Sequence, residues 1–164
     1  MLELIKKRRS IRRYTDEPVS DADVKAMLEA AMAAPSADNL QPWEFVVVRE
    51  EGLRRRLAET HPWSRMGADA PVVFVVCGHE RQSSHWVEDT SAATQNLLLA
   101  AAGLGLGAVW VGVYPTSRSE AHVRSALGIP RELRVLCLVP VGHPAESKSP
   151  HTKYDERKVH YEGY

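Results

Sequence analysis

Six cations crowd into the stretch from Lys6 to Arg13 of KKRRSIRRY: Lys6, Lys7, Arg8, Arg9, Arg12 and Arg13. Such a run usually forms a solvated basic face or a nucleic-acid patch. Here Ser10 lies between arginines, so a hydroxyl and guanidinium forks can converge on one phosphate. A second candidate is APSADNLQPWEF, residues 34–45. Pro35 and Pro42 stiffen this loop, while Ser36, Asn39 and Gln41 offer hydroxyl and amide groups. Amides present donors and acceptors together, which suits the edge of a heterocycle. The third is GLGLGAVWVGVYP, residues 103–115. A dinucleotide fingerprint needs strand, glycine turn, then helix. The pattern around these glycines runs from helix to strand, so they read as a tight turn and a close backbone approach.

The elements that must position these segments follow from periodicity. Residues 2–9 suit a short helix. Ser20 and Asp23 open another, with Val24, Met27, Leu28 and Ala31 at helical spacing, and Pro35 ends it. Trp43–Val48 reads as a strand, Glu50–Glu59 as a short arginine-rich helix, and the run after Pro71, VVFVVC, as a strand buried on both faces. Trp86–Ala102 predicts a long central helix and Ala108–Val113 another strand. Ser117 and Glu120 have the spacing of a capping box for a helix closed by Gly128 and Pro130, before a last strand over Leu133–Val141. Proline and charge dominate 144–164, where Tyr154, Val159, Tyr161 and Tyr164 are too sparse to build a core. That tail is either frayed or wrapped on a partner subunit. Strands separated mainly by helices predict an α/β or α+β sandwich.

Bulk composition narrows the classes. With 164 residues, 44% apolar and 26% charged, the chain suits one globular domain. Basic and acidic residues balance at 21 each, so no global field draws it to nucleic acid or membrane. Cys77 and Cys137 sit in separate apolar runs and read as buried thiols of a reducing compartment. The N-terminal MLELIKKRRS lacks signal-peptide features, so a cytoplasmic protein is expected. Leu97–Tyr114 carries no charge, but Gly103, Gly105 and Gly107 in its middle argue against a membrane-spanning helix. His79, Glu80 and His85 match no familiar zinc spacing, and no metal is expected. The four tryptophans read as core or interface anchors, Glu88 and Asp89 as acids opening a helix, and His122 as an exposed helix residue.

Taken together, RRSIRRYTDEPV, APSADNLQPWEFVVV, WVEDTSAATQNLLLAAAGLGLGAVWVGVYP, LVPVGHPAE and KYDERKVHY resemble the nitroreductase family of FMN enzymes, over nearly the whole chain and in order. The resemblance implies an α+β three-layer sandwich, with a central, mostly antiparallel sheet flanked by helices. It implies a single domain over 1–164 and an intertwined homodimer, with about 144–164 crossing to the partner. It further implies FMN at the dimer interface and ping-pong transfer from NAD(P)H to a nitroaromatic, quinone or similar electron-poor acceptor. By position, Arg8, Arg9, Ser10 and Arg12 take the N-terminal flavin role, Arg8 and Ser10 at phosphate and ribityl and Arg12 at the pyrimidine edge. Pro35, Ser36, Asn39 and Gln41 would face the flavin from the partner. Val111, Gly112 and Val113 would run beside the ring, with the Gly112 amide near N5. Lys153 stands where relatives often carry arginine. The chemistry would belong to the cofactor, with no catalytic side chain.

One departure bears on specificity. Larger relatives insert a helical excursion over the flavin, whereas only His79–His85 separate the second central strand from the next helix here. The pocket is therefore expected to be open or lightly covered, with Trp63, His85 and Trp86 as candidate covers. Alternatives remain at this level: a flavin-binding or storage protein without turnover, or a specialised relative that removes halogens, desaturates a ring or fragments flavin. A small nucleic-acid module using the basic N-terminus is disfavoured by the neutral net charge.

Overall fold

The computed structural model describes residues 1–164. Five helices and five strands follow in the order α1 (Leu2–Lys7), α2 (Asp21–Met32), β1 (Trp43–Val48), α3 (Glu51–Ala58), β2 (Val72–His79), α4 (Trp86–Gly103), β3 (Gly107–Ala108), β4 (Val111–Gly112), α5 (Ser117–Leu127) and β5 (Leu133–Gly142). The sheet runs β1-β2-β5-β3, with β4 also on β5, and every strand pairing is antiparallel. Side chains alternate across it, which produces two cores. Val72, Phe74, Val76, Val139 and Val141 face α2 and α4; Val73, Val75, Cys77, Val135 and Leu138 face α3 and α5. Each such fully buried aliphatic contributes about 1.5–3 kcal/mol relative to exposure. The result is the expected three-layer α+β sandwich.

The local signals mostly hold. Ser20 Oγ accepts the Asp23 amide at 3.0 Å and starts α2, and Gly128, at φ 67°, closes α5. Burial pushes the Cys77 thiol up to about 12, with Glu44 adding to the shift, and pushes Cys137 up as well. No helix is long and apolar enough to cross a membrane.

Two expectations need correction. The single strand over Ala108–Val113 is two short pieces, β3 and β4, in one continuous register against β5: Ala108 faces Val141 and Val111 faces Leu138. Between them Val109 donates to Pro140 at 3.3 Å, but Pro140 has no N–H to return. The ladder therefore breaks there. Nor do Ser117 and Glu120 form a capping box. Thr116 is the N-cap, without a side-chain bond, and the Glu120 carboxylate turns inward. It accepts from Arg134 Nε and Nη2 at 2.9 Å each, from Arg124 at 3.2 Å and from the Val135 amide at 3.1 Å. Arg134 then lies over the rings of Trp86 and Tyr114.

Candidate functional site

The basic segment after α1 is held as an extended strap against β3. Ser10 bridges Ala108 in parallel, and the Ile11 amide donates to the Ala108 carbonyl at 3.0 Å. Glycine at 107 is required for this approach, because a Cβ there would lie 2.6 Å from Ile11. Tyr14 donates its hydroxyl to the carbonyls of Ile11 (2.7 Å) and Pro140 (3.2 Å). The chain after β5 then folds back over the strap. The Ala145 amide reaches the Arg13 carbonyl at 2.9 Å, Lys148 reaches the Ser10 carbonyl at 2.5 Å, and the Arg12 amide donates to Glu146 at 2.6 Å. This amide bond is the main reason the Glu146 carboxyl lies below its usual value.

The backbone of the strap is thus satisfied while its cations are not. None of Lys7, Arg8, Arg9, Arg12 or Arg13 pairs with a carboxylate; Arg9 instead donates to the Ser149 carbonyl. Arg8 is half-buried and lines a hollow with Lys7, Arg9, Glu146 and Lys148. Beside it His151 Nδ1 is enclosed without a hydrogen-bond partner. Burial, then the charges of Arg9, Lys153 and Arg8, holds His151 below its usual pKa. Half-buried guanidiniums and an orphaned ring nitrogen at one place fit an anion such as a phosphate. His151 was not apparent from sequence, because the tail's fold-back has no periodic signal. Lys153 itself is exposed and unpaired.

Arg12 extends from the strap into a second hollow of about 260 Å³, lined also by His61, Trp63, Val109, Trp110, Val111 and Gly112. Val111 and Val113 are buried in the core, so only Gly112 of the predicted trio reaches the surface. A Cβ on Gly112 would meet nothing within 4 Å. Neither packing nor a left-handed φ requires glycine there, and the bare backbone leaves room for a flat ring against it. Trp63, 79% exposed, borders this space. Trp86 does not: it is buried between Tyr114, at 4.9 Å edge-on, and Arg134. Trp43 is buried and Trp110 is partly so. His85 is exposed and 3.8 Å from Glu88.

The amide-rich loop lies elsewhere. Asp38, Asn39 and Gln41 all have left-handed backbones, with φ 51°, 55° and 51°. Such conformations outside glycine concentrate at functional sites. Ser36 Oγ accepts the Gln41 amide at 3.0 Å, and Asp89 accepts the Ala37 amide at 2.9 Å and the Ser83 hydroxyl at 2.9 Å. Asp89 was expected only to complement a helix dipole, and is instead the buried post on which the loop hangs. Pro35, Asn39 and Gln41 stay exposed.

This loop enters β1 at Trp43, which faces Gly78 and through it Arg134, whereas Ser10 sits by Ala108 and so by Val141. Along β5, residues 134 to 141 span roughly 23 Å at about 3.3 Å each. One subunit therefore does not bring Arg8–Arg12 and Pro35–Gln41 together. His79 lies 2.8 Å from Glu44 and Glu80 pairs with Arg134 at 2.6 Å, so these residues find separate partners. His122, expected to be exposed, is half-buried and within 2.7 Å of the Arg56 carbonyl.

Comparison with known proteins supplies the family of the whole chain. The family model described as "Nitroreductase family" matches residues 5–61 and 58–143. A Methanothermobacter thermautotrophicus protein, with the provisional description NADH dehydrogenase/NAD(P)H nitroreductase, is 42% identical over 99% of this chain and 86% of its own. The FMN-dependent nitroreductase of Clostridium difficile R20291 superposes with a TM-score of 0.96 at 30% identity, over 100% of both chains. The NADPH:FMN oxidoreductase of Vibrio harveyi, solved with NAD+, gives 0.88 at 28% identity, over 99% of this chain and 77% of that one. By fold and by sequence over most of its length, the chain belongs to the nitroreductase family of oxidoreductases.

Proposed function

We propose that the protein is an FMN-dependent oxidoreductase that moves electrons from NAD(P)H to a small electron-poor acceptor, such as a nitroaromatic or quinone. The observation that carries this reading is the conjunction of unpaired Arg8, Arg9 and Arg12 with the uncovered backbone of Gly112. Bound FMN would supply two-electron redox chemistry at that surface. Arg8, Arg9, Ser10, Lys153 and the enclosed His151 would hold its phosphate end, each ionised hydrogen bond contributing about 1.5–3 kcal/mol. Arg12 is a cation beside Gly112, placed to stabilise negative charge that develops on reduction. His61 lies 3.0 Å from the Gly112 carbonyl, and Trp63 borders the same hollow.

The 23 Å offset between strap and loop supports a homodimer in which Pro35, Ser36, Asn39 and Gln41 of one copy complete the site of the other. Apolar side chains left exposed, Leu2, Ile5, Met32, Leu40 and Leu104, would be covered in such an assembly. The turns and tail beyond residue 151, with Tyr154 and Tyr161 exposed, are the part of the extension free to reach a partner. Donor and acceptor would share the one open face over Gly112 and alternate there, which gives ping-pong kinetics.

The test is an anaerobic absorbance titration of FMN-loaded protein with NADH and with NADPH. Bleaching of the flavin band, and its return on adding a nitroaromatic, supports the reading. Tight FMN uptake without bleaching by either donor would make the protein a flavin carrier, and absence of FMN uptake would end the flavin reading.

A further inference from the structure

The largest cavity of the chain, about 860 Å³, opens between α3, the turn Pro62–Gly67 and the start of α5. Three guanidiniums line it, Arg55, Arg65 and Arg118, against one carboxylate, Glu59. Arg55 pairs with Glu51; Arg65 and Arg118 have no acidic partner. The helix α5 starts at this wall with Thr116 giving no side-chain cap. Its first amides are thereby left to an outside acceptor, at the positive end of the helix dipole. Ser119 also lines the cavity, is only 5% exposed, and makes no side-chain hydrogen bond within the chain. Two unpaired guanidiniums, an uncapped helix end and a serine hydroxyl without a partner in the chain converge on one concave surface, which is the donor set of a phosphate site.

This cavity adjoins the proposed redox face. His61 lines both hollows, and its Nε2 contacts the Gly112 carbonyl. We infer that the cleft binds the adenosine phosphates of the nicotinamide dinucleotide while the nicotinamide lies over Gly112, an inference that rests on the function proposed above. The size suits it, since ligand pockets hold about 300–1,000 Å³. The charge excess favours the more anionic, 2′-phosphorylated dinucleotide, so NADPH is the preferred donor.

The experiment is calorimetric titration of the flavin-free protein with 2′,5′-ADP, ADP and adenosine, for the wild type and an Arg65→Ala/Arg118→Ala variant. Both side chains are exposed, so the variant is expected to fold, and its melting temperature checks this. Expected is binding of 2′,5′-ADP over ADP, none of adenosine, and a loss of about 10- to 100-fold in the variant. In the FMN-loaded protein, KM for NADPH should rise by a similar factor while FMN affinity and acceptor KM stay unchanged. Binding that is absent, or indifferent to the two arginines, overturns the site. Arginine-dependent 2′,5′-ADP binding supports the site even where no donor bleaches flavin, in which case only the oxidoreductase reading fails.

Discussion

His61 Nε2 lies 3.0 Å from the Gly112 carbonyl, while its Nδ1 lies 3.1 Å from the Trp63 amide. A carbonyl only accepts and a backbone amide only donates, so these contacts suit the tautomer with its proton on Nε2. The same side chain caps the Pro62–Gly67 turn, its backbone amide bonding Ser64 Oγ at 3.0 Å. One residue therefore couples the bare strand edge, the tryptophan beside it and the wall of the arginine cleft. His61→Ala should lower melting stability by about 1 kcal/mol, the net value of a lost neutral hydrogen bond. It should lower kcat several-fold because Gly112 and Trp63 lose their common anchor. Thermal melts with steady-state kinetics check this; an unchanged kcat would sink the anchoring role.

The unpaired strap arginines lead to a binding prediction. Arg8→Ala should weaken FMN roughly 10- to 100-fold, equivalent to about 1.5–3 kcal/mol. Lys153→Ala should act more mildly, since Lys153 is exposed. Fluorescence titration measures both, and a larger loss for Lys153 would reverse their order of importance.

Gly107 offers a steric test. An alanine Cβ would lie 2.6 Å from Ile11 Cγ2 and 2.8 Å from its Cβ. Ile11 is buried and belongs to the strap, so it cannot yield without moving Ser10 and Arg12. Gly107→Ala should cost about 1–3 kcal/mol of stability and also weaken FMN. If denaturant melts shift with no change in flavin affinity, the strap is not what Gly107 positions.

Glu120 sets the acid response. Burial alone would raise its pKa, but hydrogen bonds from Arg134 and the Val135 amide, with the charges of Arg134 and Arg124, outweigh burial and hold it below the usual value. The folded state then binds fewer protons than the unfolded one. The stabilisation is fully present above about pH 4.3 and is lost as pH falls through the lower, folded value. Glu120→Gln should cost about 2 kcal/mol at pH 7, less than the roughly 3–5 for a fully buried pair, because Arg134 remains 25% exposed. The gap to wild type should narrow between pH 5 and pH 3. A gap independent of pH would mean that charge is not what this carboxylate contributes.

Elements with strong periodicity, α2, β1, β2, α4 and β5, were legible in the sequence to within a residue or two. The failures share a cause: the decisive partner is remote. Glu120 follows the spacing of a capping box, but its partner Arg134 lies 14 positions on. Pro140 breaks the ladder of a strand some thirty residues earlier in the chain. Asp89 looked like a helix opener because its loop, at Ala37, is 52 positions away. Of the site, the strap arginines were legible as a charge run and Gly112 through family likeness. His151 and the cleft of Arg55, Arg65 and Arg118 were not, since their residues meet only after folding.

The opposite-end placement of the strap and the amide loop carries a genetic consequence. In a two-fold assembly, a subunit carrying Arg8→Ala and one carrying Asn39→Ala are each defective when paired with themselves. In a mixed pair, one site collects both lesions and the other collects neither. Two recessive alleles of this kind should therefore complement, with roughly a quarter of sites restored under random reassortment.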